Sequence, residues 1–99
     1  EVTLEQGYEA AEVCAVNALA AVKSVIGSLE EIEEIIKVRG FVNSRPDFLK
    51  QPQVVNGASE LLVKIFGEKG RHARSALGTS VLPDDIPVEL EMIVKVKDK

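Results

Sequence analysis

The chain has 99 residues, of which 45% are hydrophobic and 28% charged, and its formal net charge is −4 at pH 7. This composition excludes a disordered tail and is typical of one small globular domain with a thin core. The sequence pI near 5.0 argues against a general nucleic-acid binder, which usually presents a basic face. Because only 4% of the residues are aromatic and none is Trp, we expect an aliphatic core.

The first predicted element is an amphipathic helix. Thr3 is a suitable N-cap, and Gln6 stands three residues later to complete a capping box. Gly27 is placed to end the helix. Apolar residues recur every three or four positions and define its buried face: Leu4, Tyr8, Ala11, Ala15, Leu19, Val22 and Ile26.

A strand is predicted next, after an acidic connection, "EEIEE", at residues 30–34. Alternation with a period of two divides its side chains between two faces. One face carries Ile36, Val38 and Val42, and the other carries Ile35 and Phe41 with Lys37 and Arg39.

A second helix is predicted to begin near Gln51 and to end at Gly67. Pro52 then occupies its first position, where the missing N–H costs nothing. The predicted buried stripe comprises Val54, Ala58, Leu61, Leu62 and Ile65.

Two strands complete the chain, over roughly Ser75 to Val81 and from Val88 to Val96, with a turn, "LPDDIP", at residues 82–87. In the last strand Val88, Leu90, Met92, Val94 and Val96 line one face, and Glu89, Glu91, Ile93, Lys95 and Lys97 line the other.

The predicted order is therefore helix, strand, helix, strand, strand. Two helices on one face of a three-stranded sheet leave its other face bare. Apolar residues on that face, such as Ile35, Phe41 and Ile93, need a partner surface. The pattern predicts an oligomer in which the bare faces of the sheets meet.

The sequence offers little for metal or phosphate chemistry. The single His and the single Cys, His72 and Cys14, are too far apart for a zinc-ligand spacing. No glycine-rich phosphate loop is present. His72 close to Ser75 is a chance neighbour rather than a base beside a nucleophile.

The lone cysteine and the hydropathy pattern bear on the compartment. Cys14 lies among apolar residues and is predicted to be a buried, inert thiol. A single cysteine is compatible with a reducing compartment, and no apolar run approaches the ~20 residues of a membrane span. We expect a cytoplasmic protein.

One stretch gathers positive charge in an acidic chain: "RHARSALGTSVLP", beginning at Arg71. A guanidinium binds a carboxylate through two parallel hydrogen bonds, so Arg74 is a candidate anchor for a small organic acid. A nearby glutamate, Glu89 or Glu91, can hold or activate a water molecule. The alternative is an ordinary cross-strand ion pair. We expect Arg71 and His72 to be solvated neighbours of the site.

The same residues carry a resemblance to a known family. "ARSALGTSVLP" followed by "VELEMIVKV" resembles the closing signature of the RidA family, also called the YjgF/YER057c/UK114 family. That signature has an Arg-Ser pair, a Leu-Pro pair about eight residues later, and a strand of the pattern (V/I)E(I/V)EAI. Upstream, "VRGFVNSRPDFLKQPQVVNGASELLVKIFGE" is similar to the family's central strand and second helix. The likeness covers essentially the whole chain and is strongest to a bacterial YjgF-like subgroup.

The resemblance implies a single α+β domain over residues 1–99, with a chorismate-mutase-like mixed sheet, two helices on one face and the order α-β-α-β-β. It also implies a homotrimer with a small-molecule cleft at each subunit interface. The implied activity is hydrolytic deamination of reactive enamines and imines, such as 2-aminoacrylate, to 2-keto acids and ammonia. The family uses no cofactor for this reaction.

The resemblance also assigns roles to four residues. Arg74 falls on the family's arginine and would clamp the substrate carboxylate, while Glu89 would position the attacking water. Asn56 would make a polar contact at the cleft. Ala76 would lend its backbone N–H, at a position where many members have Cys.

Family members begin with additional strands that supply one wall of the cleft, whereas this sequence begins at the helix. We therefore expect a domain truncated at its N-terminus relative to the family. Two other functions stay open. One is a non-catalytic trimer that binds a small carboxylate. The other is an endoribonuclease or translation inhibitor with Arg71, His72 and Arg74 as a phosphate patch, which the acidic pI and the scarcity of aromatic residues oppose.

Overall fold

The computed structural model describes residues 3–45, 47–82 and 86–98. Within these ranges the chain has the predicted order of two helices and three strands: α1 (Leu4–Ile26), β1 (Ile32–Asn43), α2 (Gln51–Phe66), β2 (Ala73–Thr79) and β3 (Val88–Val96). Short 3₁₀ turns, Leu29–Glu31 and Gly67–Gly70, follow the two helices. Among the described residues no helix is both long enough and apolar enough to cross a membrane. The predicted turn after Leu82 includes residues 83–85, which lie outside the described ranges.

Both ends of α1 form as predicted. The Thr3 hydroxyl accepts a hydrogen bond from the backbone N–H of Gln6 at 3.1 Å, and the Gln6 side chain accepts one from the N–H of Thr3 at 3.0 Å. At the other end Gly27 has φ 90° and donates its N–H to the Lys23 carbonyl at 2.8 Å. Gly67, with φ 64°, ends α2. Glycine adopts this left-handed backbone without strain, so these two residues set where the helices stop.

The central strand of the mixed sheet is β1, in the order β2-β1-β3. It runs parallel to β2 and antiparallel to β3. Val38 pairs with Arg74, and Gly40 pairs with Ala76 on one side and with Leu90 on the other. Because two parallel strands need a crossover, α2 lies over the sheet between β1 and β2.

The strand β2 lies two residues earlier than predicted, at Ala73–Thr79 rather than from roughly Ser75 to Val81. The difference has a simple cause in the pairing. The parallel ladder with β1 already begins where Ala73 lies opposite Lys37. The apolar residues Val81 and Leu82 suggested a strand that ends later, but they lie past the point where β1 ends at Asn43.

The strand β1 departs from regular alternation at two points. Its register with β3 shifts twice, which makes Glu33 and Ile36 the extra residues of two bulges. Ile35 is consequently fully buried together with Val38, whereas Ile36 is 44% exposed. The predicted faces of Ile35 and Ile36 were therefore wrong. An inserted residue breaks the strict alternation of side chains, so that residues on either side of it are assigned to the wrong face when positions are counted in twos. Past the second bulge the predicted faces hold.

Both helices pack on one face of the sheet, as predicted, and an aliphatic core lies between the layers. The stripe that α2 buries differs from the predicted one: Gly57 is buried as well, and three apolar residues also differ. Val55 is fully buried, Leu61 is only half-buried and Ile65 is 49% exposed. The buried hydrophobic residues are Ala11, Ala15, Leu19, Ile32, Ile35, Val38, Val42, Val54, Val55, Ala58, Leu62, Leu82 and Val88.

Two glycines allow α2 to approach its neighbours closely. A Cβ on Gly40 would lie 2.5 Å from a methyl group of Val55, and a Cβ on Gly57 would lie 2.1 Å from the backbone oxygen of Tyr8. The first contact brings α2 onto β1, and the second brings it onto α1. The short distances from α2 to β1 and to α1 therefore depend on the absence of a side chain at these two positions.

The second face of the sheet is left uncovered by the described residues. Leu77 is 46% exposed and Ile93 is 56% exposed, and the half-buried Phe41 pairs with Leu77 in register. Two ion pairs join strands on the same face: Arg39–Glu91 at 3.4 Å and Glu33–Lys95 at 2.8 Å. The predicted bare face is confirmed for Phe41 and Ile93 but not for Ile35. The oligomer that it implies stays a prediction.

We predict that Gly57→Ala destabilises the protein strongly. The new methyl group would meet backbone atoms of α1 at 2.1 and 2.9 Å, so the two helices must move apart. Overpacking of this kind costs about 1–3 kcal/mol, and we expect the upper end of that range because backbone cannot rotate away. Urea unfolding at a fixed protein concentration measures the loss.

Gly7→Ala is the matched control, because Gly7 is also a buried glycine within a helix. Its Cβ would meet only the methyl groups of Val54, at 3.2 and 3.3 Å, and side chains can yield. The gain in helix propensity, about 1 kcal/mol, offsets the crowding. Equal stability of the two variants would show that the contact between α2 and α1 is not limiting.

Candidate active site at the edge of the sheet

The candidate site lies where the edge strand β2 passes α2. Side chains alternate along β2, and Ala76 packs against the core on the helix-covered face. Arg74, two residues earlier, points to the same face. Its Nη1 donates to Asn56 Oδ1 at 2.7 Å and to Ser59 Oγ at 3.3 Å. Asn56 and Ser59 are three residues apart on α2, a spacing that puts both on the helix face turned toward β2.

The guanidinium of Arg74 is fixed along one edge and open along another. Every hydrogen bond that residues 3–45, 47–82 and 86–98 provide to it uses Nη1. Its Nε and Nη2 groups make no hydrogen bond to these residues, and the residue is exposed. This pair of donors matches a planar carboxylate. Because Asn56 already orders the side chain, a ligand loses less affinity to side-chain ordering.

A histidine extends this set of contacts. His72 Nε2 lies 2.9 Å from Ser59 Oγ, and His72 Nδ1 lies 2.5 Å from the carbonyl oxygen of Gly70. The hydroxyl of Ser59 therefore lies between the imidazole of His72 and the guanidinium of Arg74. We expected His72 to be a solvated neighbour of the site, and this was wrong. It is half-buried and joined to the site through Ser59.

The sequence signal for Ser59 was weak but present. Ser59 follows Asn56 by one helical turn, and His72 precedes Arg74 by two residues on the same strand approach. Residues two apart along a strand share one face, and residues three apart along a helix share another. Where these two faces meet, the four side chains lie close together. We considered Ser75 as the partner of His72, but alternation places Ser75 on the other face of β2.

Glu89 lies on the opposite face of the sheet from Arg74. Val88 and Leu90, its neighbours in β3, pack in the core beneath the helices. Alternation therefore directs Glu89 to the bare face, opposite Phe41 in the register. Arg74, by contrast, bonds to α2 on the covered face.

The two residues are also far apart within the sheet. The central strand β1 separates β2 from β3, which amounts to about 10 Å between their Cα atoms. The partners of Arg74 and Glu89 on β1, Val38 and Phe41, are three residues apart, which adds about 10 Å along the strand. One subunit therefore brings together Arg74 and Asn56, with Ala76 close by on β2, but it does not bring Glu89 to them.

The other charged candidates have partners of their own. Glu91 pairs with Arg39 across the strands at 3.4 Å, which is an ordinary ion pair but not the one with Arg74 that the sequence suggested. Arg71 pairs with Glu68 at 3.1 Å on the surface, as expected for a residue outside the site. Glu60, next to Ser59, accepts a hydrogen bond from the Tyr8 hydroxyl. That bond, with a small loss of hydration and the charge of Glu60, raises the pKa of Tyr8.

Cys14 has the surroundings of an unreactive thiol. It is half-buried, and its Sγ lies 3.4 Å from the carbonyl oxygen of Val88. Burial, and to a smaller extent the charge of Glu89 next to Val88 in the chain, raises the pKa of the Cys14 thiol. Since the thiolate is the reactive form, the raised pKa lowers the fraction of Cys14 present in the reactive form. No group of three or more His, Cys, Asp or Glu side chains suited to a metal ion occurs among the described residues.

Comparison with known proteins places this geometry in a family. Residues 1–93 match the family model "YjgF/chorismate mutase-like, putative endoribonuclease". The chain is 46% identical to a protein of unknown function from Agrobacterium tumefaciens, Atu1372, whose crystal structure superposes with a TM-score of 0.96. It is 31% identical, with a TM-score of 0.93, to the structure of "a putative endoribonuclease" from Shewanella oneidensis. Protein TCP17 of Trypanosoma cruzi is 38% identical over 97 residues.

The coverage of these matches is uneven. The alignments include 98%, 97% and 97% of this chain but only 62%, 64% and 61% of the Agrobacterium, Shewanella and Trypanosoma proteins. The fold is thus the chorismate-mutase-like α+β fold that the sequence resemblance implied. With the family model matched over residues 1–93, the chain belongs to the YjgF/chorismate-mutase-like family.

Proposed function

We propose that this domain hydrolyses reactive enamines and imines of the 2-aminoacrylate type to 2-keto acids and ammonia. The observation that carries the proposal is the geometry of Arg74. Its Nη1 is held by Asn56 at 2.7 Å, while its Nε and Nη2 make no hydrogen bond to the described residues and can together bind a carboxylate. Every substrate of this class carries a carboxylate next to the reacting carbon, so one clamp fixes the distance to that carbon.

The proposed reaction requires few functional groups from the protein. An enamine first takes a proton on its terminal carbon to become the imine, whose C=N carbon is electrophilic. Water then adds to that carbon, a proton moves to nitrogen, and the C–N bond breaks to release ammonia and leave the keto group. Orientation of the substrate and a held water supply the catalysis, without a strong nucleophile or a cofactor.

We assign the water-positioning role to Glu89, as the family resemblance suggests. Because Glu89 and Arg74 of one chain face opposite sides of the sheet, the Glu89 beside a given Arg74 would come from a neighbouring subunit. A homotrimer with clefts between subunits supplies such a neighbour. The exposed Leu77 and Ile93 on the bare face support an oligomer, since exposed apolar residues clustered on one surface favour association.

The backbone of β2 supports the role of Ala76. Since β2 is an edge strand of the described sheet, half of its backbone groups do not pair with β1. We assign the N–H of Ala76 as a further donor to the ligand, two residues from the clamp. The lone, half-buried Cys14 supports a cytoplasmic location for the reaction.

A second candidate function is binding of a 2-keto acid without turnover. The separation of Arg74 and Glu89 within one subunit favours it, because the described chain by itself forms a clamp with no carboxylate base beside it. Ribonuclease activity, suggested by the name of the Shewanella relative, has less support. The chain has a net charge of −4, and its exposed Arg71 is already paired with Glu68.

We predict that Arg74→Ala reduces turnover of 2-aminoacrylate by about 100-fold or more, because hydrogen bonds to a charged group contribute about 1.5–3 kcal/mol each. Arg71→Ala is the matched control, since Arg71 lies in the same basic tract but pairs with Glu68 on the surface. We expect the control to retain full activity. Keto-acid release measures turnover, and light scattering verifies that the oligomer is unchanged.

Full activity in Arg74→Ala would refute the clamp. If the wild-type protein binds pyruvate but turns over no enamine, and Arg74→Ala abolishes that binding, the second function replaces the first.

We predict that two inactive variants, Arg74→Ala and Glu89→Gln, restore activity when their subunits are mixed. Consider a cleft that takes Arg74 from one subunit and Glu89 from the next. It is intact when the first subunit carries Glu89→Gln and the second carries Arg74→Ala. Random mixing in a ring makes about a quarter of the clefts intact. Turnover by co-expressed, doubly tagged oligomers measures this fraction.

The control mixture contains Arg74→Ala with Asn56→Ala subunits, whose affected residues act in the same half of the cleft. It should stay inactive. Activity no higher than that of the parents in both mixtures would contradict the assignment of Glu89 to the neighbouring subunit.

A further inference from the structure

Four polar groups near the candidate site form a continuous chain of hydrogen bonds. Arg74 Nη1 lies 3.3 Å from Ser59 Oγ, which lies 2.9 Å from His72 Nε2. The other ring nitrogen, Nδ1, lies 2.5 Å from the carbonyl oxygen of Gly70. Ser59 and His72 are both half-buried, so water competes less for these groups than at the open surface.

The chemistry of these groups fixes the direction of every bond. A carbonyl oxygen only accepts, so Nδ1 of His72 must carry a proton. In the neutral ring Nε2 is then a bare acceptor and takes the hydroxyl proton of Ser59. The oxygen of Ser59 is left with its lone pairs for Arg74, which can only donate. In this arrangement each of the three donors, which are His72 Nδ1, the Ser59 hydroxyl and Arg74 Nη1, has an acceptor.

We infer that Ser59 and His72 position Arg74, and that protonation of His72 loosens this hold. The inference rests on the proposed carboxylate clamp for its functional meaning. In the protonated ring Nε2 becomes a donor and can no longer accept from Ser59. The Ser59 hydroxyl must then turn its proton elsewhere and give one of its two lone pairs to His72, which leaves one for Arg74. The positive ring also repels the guanidinium on the other side of the same oxygen.

Other charged groups lie on the elements around His72. On α2 these are Glu60, which bonds to Tyr8, and Lys64. Arg71 precedes His72 in the chain and pairs with Glu68. On β1, Lys37 lies opposite Ala73. Among the described residues, none of these charged groups bonds to the Ser59 hydroxyl, so the direct link from His72 to Arg74 runs through Ser59.

The test is an NMR titration of the whole protein between pH 5 and 8. His72 is the single histidine of the chain, so its ring signals need no assignment by mutation. At high pH we expect the ring nitrogen shifts of the Nδ1–H tautomer. As His72 titrates, the guanidinium signals of Arg74 should move with the same midpoint.

Two variants of Ser59 separate a relay from a general charge effect. In Ser59→Ala the histidine should still titrate, but the movement of the Arg74 signals should fall at least about threefold, because the hydroxyl that links them is gone. Ser59→Thr retains the hydroxyl and should restore the movement. Alanine favours a helix, so loss of the coupling in Ser59→Ala would not reflect an unfolded α2.

Binding of pyruvate gives the functional readout. At high pH, Ser59→Ala should weaken pyruvate binding about 3- to 10-fold, the range that loss of one hydrogen bond produces. The inference would be overturned if the Arg74 signals did not change as His72 titrates, or if they changed as much in Ser59→Ala as in the wild-type protein. If the coupling is present but Arg74→Ala leaves pyruvate binding unchanged, the relay stands and the proposed clamp fails.

Discussion

The close seating of α2 on the sheet is the constraint on which the site depends. Three consecutive residues of α2 contact three different elements: Val55 packs on Gly40 of β1, Asn56 bonds to Arg74 of β2, and Gly57 lies against the backbone of α1. A hydrogen bond of 2.7 Å tolerates little displacement of its partners. The position of the Asn56 amide therefore depends on the two close contacts that flank it, and packing in the core controls the orientation of an exposed guanidinium.

Much of the fold followed from local patterns. The capping box at Thr3, the terminating glycines and the alternation of β3 each depend on neighbours within a few residues, and all of them were predicted. The exchange of Ile35 and Ile36 was not, because a bulge is a property of two paired strands rather than of one. The predicted position of β2 was displaced for the same reason. The strand ends where its pairing with β1 ends, and the hydropathy of β2 alone does not show where that is.

The site was less accessible to residue-level reasoning than the fold. A guanidinium in an acidic chain pointed to Arg74. Asn56 was a candidate only through the family resemblance, and its bond to Arg74 was not predicted, since the two are separated by 18 positions. The contact between Ser59 and His72 was not predicted because it joins a helix to the approach of a strand, and neither residue is unusual alone. Glu89 shows a different limit. Alternation correctly put it on the bare face, but the role that we propose for it requires a second subunit, which the pattern of a single chain does not describe.

The two bulges of β1 bear on the shape of any assembly. Each inserted residue increases the local right-handed twist, and here both fall in the first half of the central strand, at Glu33 and Ile36. A sheet twisted in this way has curved rather than flat faces. Any surface that packs against the bare face of this sheet must therefore match that curvature.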